Sequence, residues 1–107
     1  MIYEYREYHV SPGKMKALKD RFAKVTIKLF AKHGLNVVGF WEPHIGQNNL
    51  LIYLLAFEDL AERDRAWKAF GSDPEWQETM RASESEAPLV EKIVNQIWRP
   101  TSFSPMK

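Results

Sequence analysis

The chain has 107 residues, no cysteine and a formal net charge of +1. This length suits one domain with a modest hydrophobic core, and the nearly balanced charge is not typical of a nucleic-acid-binding protein. Without cysteine there is no disulfide, thiol nucleophile or cysteine–zinc site. No stretch approaches the ~20 apolar residues that span a bilayer, and the N-terminus lacks a signal-peptide core. We therefore expect a cytoplasmic protein, residues 1–107 forming a single domain, with no integral membrane association.

The first half of the chain predicts a strand, a long helix and a second strand. Residues 2–10 alternate aromatic or β-branched residues with charged ones, which is typical of a strand. Apolar residues at steps of three and four predict a helix from 15 to about 33, which Gly34 would end. Residues 35–44 read as a strand, and Pro43 places it at a sheet edge because proline donates no ladder hydrogen bond.

The second half predicts a buried strand, two helical stretches and a last strand. Residues 50–57 carry no charge, and a short turn-rich connection makes them a hairpin with the preceding strand. Asp59 is placed to cap a helix over 59–70, and Asp73 with Pro74 restarts a helix to about residue 83. The last strand covers 89–99, and residues 100–107 form a C-terminal tail.

The resulting order βαββαβ predicts an α+β, ferredoxin-like fold: a four-stranded antiparallel sheet with two helices on one face. Right-handed crossovers put the first and third strands in the middle of the sheet. The third strand, apolar throughout, needs cover on both faces, yet the helices cover only one. We therefore expect a homodimer whose two sheets pack face to face in a barrel-like core, burying on the order of 2,000 Å² or more.

Motifs spread along nearly the whole chain resemble those of NIPSNAP domains. They are Tyr3-Glu4-Tyr5-Arg6-Glu7-Tyr8, Pro12-Gly13-Lys14, His33-Gly34, Val37-Val38-Gly39-Phe40-Trp41, Ala56-Phe57-Glu58-Asp59-Leu60, Asp73-Pro74-Glu75-Trp76 and Arg99-Pro100-Thr101. The resemblance implies a single-domain bacterial member of that family, built as a dimeric α/β-barrel. It implies little about chemistry, because the family's activity is poorly defined. Relatives of the same architecture include cofactor-free monooxygenases, haem-degrading enzymes, isomerases and ligand binders, and a fold does not choose among them.

The candidate catalytic residues are Glu4, Arg6 and Tyr8, which share one face of the first strand at period two. The resemblance assigns that face to the barrel interior, where related enzymes have their pockets. Arg6 would bind a carboxylate or an enolate oxygen, and Tyr8 would donate a hydrogen bond. Glu4 would act as a base if burial raised its pKa. The alternative is an internal Glu4–Arg6 ion pair that only fixes the dimer.

For ligand binding we add two aromatic residues, Trp41 and Tyr53, as flat apolar walls beside Arg6 and Tyr8. The parity of the second and third strands leaves open whether Trp41 faces the helices instead. The three histidines match no metal spacing, so we expect no metal, and we expect no cofactor. No histidine follows His44, which argues against haem degradation.

Three function classes remain. The first is binding of a small, partly apolar anionic molecule in a pocket between sheet and helices. The second is a cofactor-free monooxygenase or isomerase acting on an enolisable or aromatic substrate. The third is a protein-interaction module that uses the charged helix surface, which is basic over residues 14–32 and acidic over 58–91.

Overall fold

The computed structural model describes all 107 residues, and it places a four-stranded antiparallel sheet under one layer of helices. In chain order the elements are β1 (Ile2–Val10), α1 (Met15–Arg21), a π-helical turn (Phe22–Thr26), α2 (Ile27–Lys32), β2 (Asn36–Trp41), β3 (Leu50–Phe57), α3 (Leu60–Gly71), α4 (Pro74–Ser83) and β4 (Val90–Trp98). The strand order is β2-β3-β1-β4. The predicted ferredoxin-like α+β topology is confirmed, with the first and third strands in the middle.

Two predicted boundaries differ from the structure. The helix expected over 15–33 is interrupted by the π-helical turn, so α1 and α2 are separate α-helical segments. The second strand ends at Trp41, before Pro43, so the proline follows the strand and does not lie within it. The strand is nevertheless at the edge, and a bulge between Val37 and Gly39 shifts its register against β3.

The predicted N-caps of α3 and α4 are confirmed, whereas Ser11, which the sequence also offers as a cap, does not cap α1: that helix begins after Lys14 without a side-chain cap. Asp59 accepts a hydrogen bond from the Glu62 backbone N–H at 2.8 Å, and Asp73 accepts one from the Glu75 backbone N–H at 2.8 Å. Pro74 occupies the first turn of α4, where its missing N–H costs nothing. These caps separate α3 from α4 and set the angle at which both helices cover the sheet.

The hydrophobic core lies between the helices and one face of the two central strands. On β3, Tyr53, Leu55 and Phe57 are fully buried in it, and Phe22 and Phe30 approach Tyr53 from the helical layer at centroid distances of 5.6 and 6.0 Å. A tight aromatic cluster of this kind holds the helices in one position over the sheet.

The opposite sheet face is apolar along β3 and carries the Glu7–His9 pair on β1, and no element of the chain covers it. Ile52 and Leu54 of β3 are only half-buried there, and Tyr5 stacks on Trp98 with ring centroids 4.9 Å apart. The third strand is therefore apolar towards both faces, as its charge-free sequence predicts.

The oppositely charged helix surfaces pair with each other inside the chain. Lys28 contacts Glu75 at 2.8 Å, and Lys32 contacts Asp73 at 3.1 Å. This pairing uses part of the basic surface that we considered for a protein partner. No helix has both the length and the apolar character needed to cross a membrane.

Candidate functional site

Glu4 lies at the centre of a buried ion-pair cluster. Its side chain is fully buried, and its two carboxylate oxygens accept five hydrogen bonds. Arg63 donates two at 3.0 Å, Trp67 Nε1 one at 2.8 Å, and Asn95 Nδ2 and Arg6 Nη1 one each at 3.1 Å. Every acceptor site of this carboxylate is therefore occupied by the chain itself.

Glu4 binds a proton too weakly to act as a general base near neutral pH. Burial by itself would raise the pKa of Glu4, but the donors from Arg63, Trp67 and Asn95 and the charge of Arg6 outweigh it and lower the pKa to about 2. The condition under which Glu4 would act as a base, a raised pKa, is not met, because its buried environment is strongly hydrogen-bonding. Glu4 stays ionised and holds the arginines.

Arg6 extends from the same strand face and is held by three contacts. Nη1 donates to Glu4 and Nε donates to the Tyr53 hydroxyl at 2.8 Å, while the guanidinium carbon lies 4.4 Å from the centre of the Trp67 ring. The remaining nitrogen, Nη2, makes no hydrogen bond within the chain, and the side chain is 13% exposed. Burial acts to lower the pKa of Arg6, but Tyr53, Tyr8 and Glu4 together raise it, so the guanidinium stays charged.

The hydroxyl groups of Tyr53 and Tyr8 extend this hydrogen-bond network, and the direction of each hydrogen bond can be assigned. The oxygens of Tyr8 and Tyr53 are 2.9 Å apart. Tyr53 already accepts from Arg6 and is fully buried, so its own hydrogen must be donated to Tyr8, since the reverse arrangement would leave it unpaired. Tyr8 then has its hydrogen free. Burial, followed by the proximity of Tyr8, raises the pKa of Tyr53 well above its ordinary value, so Tyr53 remains a neutral donor.

Arg6 and Tyr8 open onto a cleft of about 520 Å³ between the sheet and helices α3 and α4. This volume falls in the range of small-molecule sites. Seven of its 13 lining residues are hydrophobic, including Trp67, Phe70 and Trp76 on the helix side and Ile93 on the strand side. Charged residues line most of the rest of it, and they include Glu84, Glu91 and Lys92. A larger depression at the end of β4 is lined by residues 97–100 alone, so a single chain segment forms it and encloses nothing.

The structure joins four of the five predicted residues in one hydrogen-bonded network and separates the fifth, Trp41. Glu4, Arg6 and Tyr8 face the chain's own helices, not the uncovered face that would meet a second sheet. Tyr53 lies beneath the cleft and supports Arg6 and Tyr8, but it does not line the cavity.

Trp41 does not line this cleft, contrary to the prediction. It lies on edge strand β2, paired with Ile52, and it is 51% exposed. Its ring folds over Gly39, where an added Cβ would lie 2.8 Å from the ring, and it borders a separate cleft of about 230 Å³ beside α1. Strand β3 separates it from the strand that carries Arg6.

Two arginines of this region were not singled out from the sequence. Arg63 lies on the same side of its helix as Trp67 and Phe70, and Arg21 stands three residues after the buried Leu18. The sequence does contain a signal for both arginines, because each is a charged residue within an apolar helical stripe. Such a residue is normally buried only when it is paired, so its position indicates a buried ion pair.

Comparison with known proteins decides the family. The NIPSNAP family profile matches residues 3–105. The chain belongs to the NIPSNAP family. The human "Protein NipSnap homolog 3A" is 32% identical over 79 residues, which cover 73% of the chain. The match covers 31% of that relative, so the chain spans about a third of the length of the curated NIPSNAP proteins it resembles.

Solved NIPSNAP structures share the fold along the whole chain. An uncharacterised NIPSNAP-like domain protein from Burkholderia xenovorans superposes with a TM-score of 0.85 at 31% identity, covering 97% of this chain and 88% of that one. A NIPSNAP family protein from Agrobacterium tumefaciens gives 0.88 at 26% identity, covering 99% and 98%. SnoaB, a cofactor-independent oxygenase from Streptomyces nogalater, gives 0.63 at 14% identity over 97% and 96%, a likeness of fold alone.

Proposed function

We propose that this NIPSNAP-family chain binds a small, partly apolar anionic molecule in the cleft beside Arg6. The observation that carries the proposal is the state of the Arg6 guanidinium. Glu4 and Tyr53 fix two of its nitrogens, neither of them binds Nη2, and the residue lines the cleft. A positioned donor of this kind favours an anion, because the entropic cost of ordering the arginine has been met in advance.

The local charge also favours an anion. Arg6 and Arg63 share the buried carboxylate of Glu4, and the only other carboxylate on Arg63 is that of Asp64, which is 69% exposed, so the buried part of the cluster holds two positive charges and one negative charge. The free hydrogen of Tyr8 supplies a second donor to the same end of the cleft. The aromatic walls favour a flat apolar body, so an aromatic or polycyclic carboxylate combines the required features.

The proposal is tested by calorimetric titration of naphthalene-2-carboxylate at pH 7, with naphthalene-2-carboxamide as the neutral isostere. We expect the acid to bind the wild type at least tenfold more tightly than the amide. Arg6→Met should weaken acid binding by roughly 10- to 100-fold, since a hydrogen bond to a charged group contributes about 1.5–3 kcal/mol.

The matched control is Arg81→Met, which removes an arginine that is 70% exposed and paired with Glu78 on the outside of α4. It should leave the affinity unchanged. A circular dichroism melt shows whether Arg6→Met remains folded, and Arg6→Lys gives a second variant that keeps the charge but loses the fork geometry. Equal affinity of the wild type and both Arg6 variants would refute the proposal, as would no binding by the wild type.

We further propose that the chain is a homodimer whose uncovered sheet faces meet. The half-buried Ile52 and Leu54 and the stacked Tyr5 and Trp98 support this, because such a patch is unusual on a monomer. We expect a dimer mass in analytical ultracentrifugation at micromolar protein. A monomer mass would contradict the proposal.

A cofactor-free monooxygenase or isomerase acting on an enolisable aromatic is the second candidate. The adjacent donors of Arg6 and Tyr8 favour it, because they would hold a developing enolate oxygen. Glu4 has no place in this chemistry as a base, since its pKa is about 2. Oxygen consumption with quinol substrates, lost in Tyr8→Phe with binding retained, would support it. No turnover of quinols by the wild type would count against it.

A further inference from the structure

Arg21 is a second buried arginine at the same cleft, and most of its donors are unused. It ends α1, its side chain is only 7% exposed, and it borders the cavity that Arg6 also borders. Its Nη1 donates to Ser83 Oγ at 3.1 Å and to Glu84 Oε2 at 2.9 Å. Nη2 makes no hydrogen bond within the chain, and Nε is buried with no partner at all.

An unpaired buried donor of this kind is rare in native proteins and is costly to maintain. A guanidinium carries five N–H donors in a rigid fork, and the chain occupies only one of its three nitrogens here. The unused donors are those through which a second acceptor at Arg21 would be held. Arg21 thus has the features of a recognition group and not those of a fully satisfied structural ion pair.

The two arginines stand at opposite ends of one aromatic wall. Arg6 lies 4.4 Å from the centre of Trp67, and Arg21 lies 5.2 Å from the centre of Trp76. Between the two tryptophans, Phe70 has its ring centroid 5.8 Å from Trp67 and 4.6 Å from Trp76. The rings are not coplanar, since Trp67 is nearly perpendicular to Phe70 at 85° and Phe70 is tilted by 36° from Trp76. A flat molecule packed along them would have one guanidinium near each of its ends.

We propose that Arg21 forms a second polar subsite, and that the ligand is a flat apolar molecule with an anionic group at one end and a hydrogen-bond acceptor at the other. Aromatic dicarboxylates are the simplest members of this class. The inference rests on the proposed function, because it places the first anionic group at Arg6. It adds that the opposite end of the ligand is polar, which the Arg6 site alone does not specify.

The charge balance distinguishes the two ends. Arg6 shares the buried carboxylate of Glu4 with Arg63, whose second partner Asp64 is largely exposed, whereas Arg21 has the carboxylate of Glu84 to itself. The group at Arg21 is therefore a carboxylate or a carbonyl, and the strict requirement for an anion applies to the Arg6 end. The π-helical turn begins directly after Arg21, which fits the frequent occurrence of such turns at functional sites.

The experiment compares three dicarboxylates with their monoacids by calorimetry at pH 7. The pairs are terephthalate with benzoate, naphthalene-2,6-dicarboxylate with naphthalene-2-carboxylate, and biphenyl-4,4′-dicarboxylate with biphenyl-4-carboxylate. Three lengths are used so that one matches the span of the site. We expect at least one dicarboxylate to bind the wild type at least tenfold more tightly than its monoacid.

The variants separate this inference from the proposed function. Arg21→Met, which keeps an apolar side chain against Trp76, should abolish the gain of the dicarboxylate and leave monoacid affinity unchanged. Arg6→Met should weaken both members of each pair. If monoacids bind through Arg6 but no dicarboxylate gains, or if Arg21→Met weakens monoacids equally, the Arg21 subsite is refuted while the Arg6 site stands.

A second variant guards against misfolding of Arg21→Met. Glu84→Gln removes the carboxylate that competes for Arg21 but keeps the guanidinium in place. The ratio of dicarboxylate to monoacid affinity should rise several-fold in this variant. An unchanged ratio would contradict the subsite.

Discussion

Replacing Glu4 with glutamine tests whether the buried carboxylate organises this side of the sheet. The carboxamide has nearly the same shape, but it carries no charge, and one of its two ends becomes a donor. That end would face the donors of Arg63, Trp67 or Asn95, and the charges of Arg6 and Arg63 would lose their buried counter-ion. Glu4→Gln therefore removes the negative charge and one of the two acceptor oxygens that the four partners share.

The expected cost follows from the pKa of Glu4. Its fall from 4.5 to about 2 corresponds to about 3 kcal/mol of folding stability at neutral pH. Removing one partner of a buried ion pair typically costs about 3–5 kcal/mol, which agrees with the value obtained from the pKa. Glu4→Gln should then lose about 3 kcal/mol of unfolding free energy in urea at pH 7, a large fraction of the total for a domain of this size.

The pH dependence provides the sharper assay. A carboxyl group whose pKa is lowered by folding stabilises the protein above its unfolded value of 4.5, and that stability is lost as the pH falls through about 2. The advantage of the wild type over Glu4→Gln should therefore shrink by about 2 kcal/mol between pH 7 and pH 3.

The exposed Glu78→Gln serves as the control and should change stability by less than about 0.5 kcal/mol. A difference between the wild type and Glu4→Gln that stays below about 1 kcal/mol, or that does not vary with pH, would refute the reasoning. If the wild type has a measurable turnover and Glu4→Gln loses it without losing stability, Glu4 would again be a candidate for the general base.

Two further predictions concern the tyrosines. Tyr53→Phe removes the hydroxyl that orients Arg6 and donates to Tyr8. We expect the free energy of unfolding in urea to fall by about 1–2 kcal/mol and the binding of naphthalene-2-carboxylate to weaken. Unchanged binding would show that Tyr53 does not support the site. The hydrogen bond from Tyr5 to Glu7, together with burial, raises the pKa of Tyr5 to about 12. In Glu7→Gln, the pKa of Tyr5 measured from phenolate absorbance should return towards 10.0. A pKa already near 10.0 in the wild type would contradict the contact.

The fold could be predicted from the sequence because local signals and topology rules agree. The charge-free β3, the caps at Asp59 and Asp73 and the short hairpin each restrict the chain to one arrangement. The side on which Trp41 lies could not be predicted. A bulge between Val37 and Gly39 inserts a residue into β2, so simple alternation along the strand cannot be carried across it.

The candidate site was only partly predictable for a similar reason. Period-two alternation places Arg6 and Tyr8 on one face, and the structure brings both to the cleft. The pKa of Glu4 depends instead on Arg63 and Asn95, which lie 59 and 91 residues away along the chain. Neither partner has a fixed sequence relation to Glu4, because sheet register and helix packing alone bring them together.

The central claim is that the cleft beside Arg6 binds the anionic group of a small molecule. A crystal structure of the protein soaked with naphthalene-2-carboxylate tests it most directly. We expect electron density for the carboxylate within about 3 Å of Arg6 Nη2 and of the Tyr8 hydroxyl, with the rings against Trp67 and Phe70. A carboxylate bound elsewhere on the protein, with the Arg6 cleft holding only ordered water, would contradict the account.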